Sequence, residues 1–179
     1  MAAQASWWGN VANMIPSYEL NDGHHLPAIG FGTYPLRGPA GVEAMVSALK
    51  LGYRLIDSAV NYDNEGTVGE AVRRSGVPAE EVVITSKLPG RHHDYAKAKT
   101  SVYESLYRLR VDQIGLHLIH WPNPLEDRYV EAWQALIDLR KEGVIRSIGV
   151  SNFLPEHLSR IIGETGVAVV ATRAVARRN

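Results

Sequence analysis

The sequence predicts an α/β fold whose parallel sheet closes in the manner of a barrel. Three observations carry this. Five strand-like segments alternate strictly with five helix-like segments, which calls for parallel strands joined by crossover helices. The glycine turn of an open dinucleotide-binding sheet fails, since Gly30 and Gly32 have its first spacing but position 35 is proline. Finally, the polar residues gather at the C-terminal ends of the strands, where barrels keep their chemistry.

The elements follow in order. "SYEL-NDG-HHLP" reads as a hairpin turning at Asn21-Asp22-Gly23. The short apolar stretch 28–34 is the first sheet strand. Residues 39–51 space Val42, Met45, Val46 and Leu49 as a helix does. A strand is predicted over 53–59 and a helix over 65–75, with Val68, Ala71 and Val72 on one face. "EVVITSKL" (81–88) is β-branched and lies between Pro78 and Pro89, so it is a strand. Ala98, Val102, Leu106 and Leu109 mark a helix over 94–110, and a strand follows over 114–121. Val130, Trp133, Leu136 and Ile137 mark a helix over 126–142, with Gly143 as its stop. The fifth strand is 144–152. Pro155 suits the first turn of a helix over 155–165 that buries Leu158, Ile161 and Ile162. "VAVVAT" (167–172) is a candidate sixth strand.

Composition narrows the function. Of 179 residues, 19 are basic and 19 acidic, and such a balance argues against a general nucleic-acid or anionic-membrane binder. The chain has no cysteine, which removes disulfides, Cys-ligated zinc and a thiol nucleophile. No apolar run approaches the roughly 18 residues that span a bilayer. The N-terminus lacks the pattern of a signal peptide, and a cytoplasmic location is expected.

A barrel brings the strand-end residues to one mouth. Asp57 ends the second strand, and Tyr62 follows in its loop. Lys87 ends the third strand, His120 the fourth, and Ser151 and Asn152 the fifth. Tyrosine, with a reference pKa of about 10, is a poor acid at neutral pH. A nearby ammonium favours its phenolate, and Lys87 can supply one. A buried lysine keeps its proton if a carboxylate holds it, and Asp57 can be that carboxylate. His120 is placed to hydrogen-bond and orient a substrate oxygen. A proton donor beside a polarised oxygen suits carbonyl reduction, with the hydride coming from a cofactor.

Other groupings are weaker. Tyr95-x-x-x-Lys99 lies on a predicted crossover helix and reads as surface side chains. His24-His25 and His92-His93-Asp94 hold neighbours that point apart on an extended segment, so they make poor joint metal ligands.

"GYRLIDSAVNYDNEGTVGEAV", "TSKLP", "HLIHWP" and "IRSIGVSNF" resemble, in order, the signatures of the aldo-keto reductases. The resemblance runs from about Tyr18 to Gly166. It implies a (β/α)8 TIM barrel and NADPH-dependent reduction of aldehydes or ketones, with NADH as the alternative cofactor. It maps the family tetrad onto Asp57, Tyr62, Lys87 and His120. Ser151 and Asn152 match the pair that binds the nicotinamide carboxamide, with Asp57 beside it. Gly32, Thr33 and Tyr34 lie where the first strand meets the cofactor, and Trp121 borders the substrate pocket.

A complete barrel has eight strands and about 250 residues. This sequence offers five to six βα units after its hairpin. Residues 1–15 read as an N-terminal extension, 16–166 as the partial barrel and 167–179 as a divergent tail. Where the family would run into Val-Asn-Gln, the tail reads "VAVVATRAVARRN", and a change of reading frame near Thr172 is the hypothesis that would account for it. Open sheet edges favour self-association. The expected function is carbonyl reduction; the alternative is a catalytically impaired remnant or a non-catalytic interaction protein on the same scaffold.

Overall fold

The computed structural model describes residues 15–173. Residues 1–14 of the N-terminal extension, with Trp7 and Trp8, and the tail after residue 173 lie outside them. A hairpin comes first, β1 (Ser17–Glu19) against β2 (His25–Pro27), antiparallel, with Tyr18 opposite Leu26. The sheet follows: β3 (Phe31–Gly32), β4 (Leu55–Asp57), β5 (Val83–Leu88), β6 (Ile114–Ile119), β7 (Ile145–Ser151) and β8 (Ala171–Arg173). All six strands are parallel and lie side by side in chain order. The crossovers are α1 (Gly38–Lys50), α2 (Glu65–Ser75), α3 (Tyr95–Leu109), α4 (Tyr129–Lys141) and α5 (Pro155–Thr165). This is six strands of a β/α barrel.

The register assigns the two faces. Lys87 is level with Leu118, which is level with Gly149, so these share a face. Ser86, His117 and Ile148 share the other. Ser86 Oγ donates to Glu65 of α2 at 2.5 Å, so the second face is the one covered by helices. The core lies there, with Val68, Val102, Trp133 and Leu136 of the helices packed on Ile84, Leu88, Ile119 and Val150 of the strands. Gly69 permits the close approach of α2 to α3, because a Cβ there would lie 2.2 Å from the Leu109 carbonyl oxygen.

The hairpin tip docks on the sheet. Asp22, almost fully buried, accepts from Ser147 Oγ of β7 at 2.8 Å and from the His24 amide at 3.1 Å. Burial works against its charge, but the bonds from Ser147 and His24 outweigh it and hold the carboxyl below the usual range.

Three expectations are corrected. The first sheet strand pairs over only two residues, because among the described residues β3 meets a neighbour on one side alone. The sixth strand starts at Ala171, not at 167. Residues 166–169 are a connector, with Val169 O accepting from Asn21 Nδ2 and the Val170 amide donating to Ile148 O. Ile162 is 40% exposed rather than buried. No helix among the described residues covers its face of α5. No described helix is long and apolar enough to cross a membrane.

Two histidines lie in the core without a hydrogen-bond partner at either ring nitrogen among the described residues: His117 on β6, and His93 just before α3. Burial, with the Lys87 charge adding, pushes His117 down to about 3. Burial and His92 push His93 down to about 4. The unfolded chain takes up these protons near 6.5 while the folded chain refuses them. Their stability contribution is therefore complete above pH 6.5 and is lost as pH falls toward those lower values. At about pH 5 each histidine should cost about 1–2 kcal/mol. The urea midpoint is expected to fall between pH 7.5 and 5, roughly, and His117→Phe to remove about half of that drop. A midpoint unchanged over this interval would refute the buried neutral histidines.

Candidate active site

The site begins with the end of β4. Asp57 closes the strand, and the chain turns through a short 3-10 segment, Val60–Tyr62, into α2. Lys87 comes from β5, level with the inward-facing Leu118. It is fully buried, and its Nζ donates to Asp57 Oδ1 at 2.6 Å and to the Ser58 carbonyl at 2.7 Å. A buried ammonium needs such partners to remain charged. The same Nζ lies 5.0 Å from the centroid of the Tyr62 ring, where a cation is attracted to the ring face. The Tyr62 ring stands between Tyr34 at 5.2 Å and His120 at 5.9 Å. His120 follows β6, its amide bonded to Leu88 O at 3.0 Å. The four candidate residues thus meet at one end of the sheet.

Asn152 follows β7 in the left-handed region, with φ 62°. Its Nδ2 donates to the His120 carbonyl and to Ser151 Oγ, both at 2.9 Å. Gly32 and Tyr34 are exposed at the mouth, and Trp121 is half exposed. Thr33 is different. It is fully buried, and its hydroxyl donates to Asp57 O at 3.0 Å, so its side chain braces the strand end instead of facing the mouth.

Sequence reasoning missed the residue that holds this end together. Asn64 is buried, and its Nδ2 donates at 3.0 Å to Thr33 O, Thr33 Oγ1 and Leu36 O. Its Oδ1 accepts from Ser58 Oγ at 2.7 Å. It therefore ties the loop bearing Tyr62 to the loop bearing Tyr34. Arg37 adds a second tie, from Nε to Tyr62 O at 2.8 Å. The Tyr95–Lys99 pair lies on the surface of α3 and clasps α4, through Tyr95 OH to Asp138 and Lys99 Nζ to Glu142. Among the described residues no three metal-ligating side chains lie together.

A family comparison decides the matter: residues 28–175 match the model of the Aldo/keto reductase family. The chain belongs to this family. The match continues past Gly166, where the sequence motifs end, and takes in β8. The 2,5-diketo-D-gluconic acid reductase B of Corynebacterium sp. is 53% identical over 153 residues, which are 86% of this chain and 55% of that protein. Among solved structures, an aldo/keto reductase from Brucella melitensis superposes with a TM-score of 0.86 at 41% identity, covering 89% of this chain and 62% of that one. The Bombyx mori aldo-keto reductase in complex with NADP gives a TM-score of 0.81 at 32% identity, covering 89% and 58%. This aldo/keto reductase chain thus spans about half the length of the curated relatives it matches.

Proposed function

We propose that this chain carries the catalytic part of a carbonyl reductase, with NADPH as the hydride source and Tyr62 as the proton donor. The observation that supports it is the packing of Tyr62 against both Lys87 and His120, with Lys87 held by Asp57. The donor set suits a nicotinamide. Asn152 makes both its bonds through Nδ2, which leaves Oδ1 to accept from a carboxamide N–H. Ser151, Asp57, Gly32 and Tyr34 complete that side, and Thr33 braces it from beneath, its amide and hydroxyl both donating to Asp57 O. When bound, the cofactor supplies a hydride, which no side chain can provide.

The side chains do the rest. His120 hydrogen-bonds the substrate oxygen and fixes its direction. Tyr62 passes its hydroxyl proton to that oxygen as the carbon is reduced, and is itself left as a phenolate. The Lys87 ammonium stabilises this phenolate, and Asp57 with Ser58 O keeps Lys87 protonated despite its burial. Trp121 and Tyr34 border the space for the aldehyde or ketone.

In barrels of this kind the phosphate-binding loops follow the seventh and eighth strands. The 179-residue polypeptide alone is therefore expected to reduce a simple aldehyde with NADPH at a negligible rate and, with β3 and β8 as the sheet edges among the described residues, to self-associate. A chimera that continues from Gly166 into the rest of the Corynebacterium reductase should turn over. NADPH absorbance and sedimentation measure the two. A folded chimera that binds NADPH but reduces no carbonyl would sink the reading and favour a non-catalytic scaffold.

A further inference from the structure

A cleft of about 710 Å³ opens beside the catalytic end, between α2 and α3. Neither Lys87 nor His120 lines it. Its walls are the loop residues Val60 and Asp63, the turn residues Arg91 and His92, and one face of α3 with Ala96 and Lys97. The volume is that of a small-molecule site.

The charges in the cleft are unevenly used. Glu65 is almost fully buried and accepts from Arg108 Nε at 2.7 Å as well as from Ser86. Glu104 also faces Arg108, at 3.9 Å, and Asp63 faces Arg37, at 3.5 Å. Arg91 and Lys97 make no salt bridge among the described residues, and Lys97 acts on the Asp94 carboxylate only from beyond ion-pair distance. Arg91 is held by a neutral group, Asn61 Oδ1. His92 sits beside them, its Nδ1 2.9 Å from Ser101 Oγ. Burial first, then the charges of Arg91, Lys97 and Arg108, keep its imidazole below the ordinary range. Two cations outside any ion pair, next to an imidazole held below its ordinary range and with Val60 and Ala96 as apolar wall, match a dianion on a compact apolar body.

We propose that this cleft binds a small phosphate ester, with Arg91 and Lys97 taking the phosphate and the Val60–Ala96 wall taking the body. A phosphate monoester carries a charge of about −1.5 to −2 at neutral pH, and guanidinium groups bind phosphate oxygens in pairs. The site does not depend on the reductase reading, since the tetrad is not part of it.

The test is a titration of the histidine-labelled chain with phenyl phosphate, followed by NMR, with inorganic phosphate titrated separately. The same titrations are run on the chimera, where the cleft is unchanged. Phenyl phosphate should shift His92 saturably while His93 and His117 stay still. It should also raise the proton affinity of His92, because the bound dianion offsets Arg91 and Lys97. Arg91→Ala with Lys97→Ala should weaken binding by at least about tenfold. Both side chains are exposed, so thermal unfolding should be unaltered. No saturable shift, or one equal in the double variant, would overturn the site. Inorganic phosphate binding as tightly as phenyl phosphate would overturn the ester.

Discussion

Lys87→Met is expected to lower the stability of this chain by about 3 kcal/mol, at the lower end of the 3–5 kcal/mol lost when one partner of a buried ion pair is removed. Methionine fills nearly the same volume, so the loss is electrostatic. Asp57 loses the Nζ at 2.6 Å, and the Ser58 carbonyl loses its donor at 2.7 Å. The low end applies because the Asp57 side chain is 22% exposed and water reaches it in part. Urea denaturation gives the number. Adding Asp57→Asn to Lys87→Met should recover much of the loss, since a pair removed as a unit leaves no stranded charge. A Lys87→Met chain that unfolds like the parent would show that the two side chains are not a buried pair.

Tyr62→Phe, placed in the chimera, is expected to cut turnover by about 10² to 10⁴. The ring remains, so its contacts with Tyr34 and His120 and the position of Lys87 over it survive. Cofactor affinity should stay close to that of the parent chimera, as measured by NADPH fluorescence. Only the proton donor is lost. Turnover near that of the parent would remove Tyr62 from the reaction.

Helices 65–75 and 155–165 stand where the sequence places them, end to end. Their stops are local: Gly76 and Gly166 take positive φ at the C-caps, and Pro155 opens the second helix. The strand ends bearing Asp57, Lys87 and His120 were legible for the same reason, since an apolar run broken by a polar residue is a local signal. What was not legible depends on distant partners. Asn64 stands at the N-cap position of α2, yet its side chain makes no cap bond and reaches back to Thr33 and Leu36. Only the fold brings those carbonyls near. His117 left a clue, as an imidazole set between Leu116 and Leu118 in the apolar run "IGLHLI". Its environment follows only from the register that sets it level with Ser86 and Ile148. "VAVVAT" has strand composition throughout, but four residues from Gly166 only carry the chain to β8. Composition does not separate such a connector from a strand.

Asp57 and Lys87 are 30 residues apart, Asn64 and Thr33 31, and Asn152 and His120 32. Each tie joins one strand to the next in the sequence. The entropy of closing a loop rises only slowly with its length, and here every loop is the same modest size and filled by its own helix. Synthesis runs from the N-terminus, and structure forms in that direction as the chain emerges. The candidate site residues can therefore settle against one another, strand by strand, while later parts of a barrel are still unmade. The pocket for chemistry precedes, in the order of assembly, the strands that a barrel uses to grip phosphate.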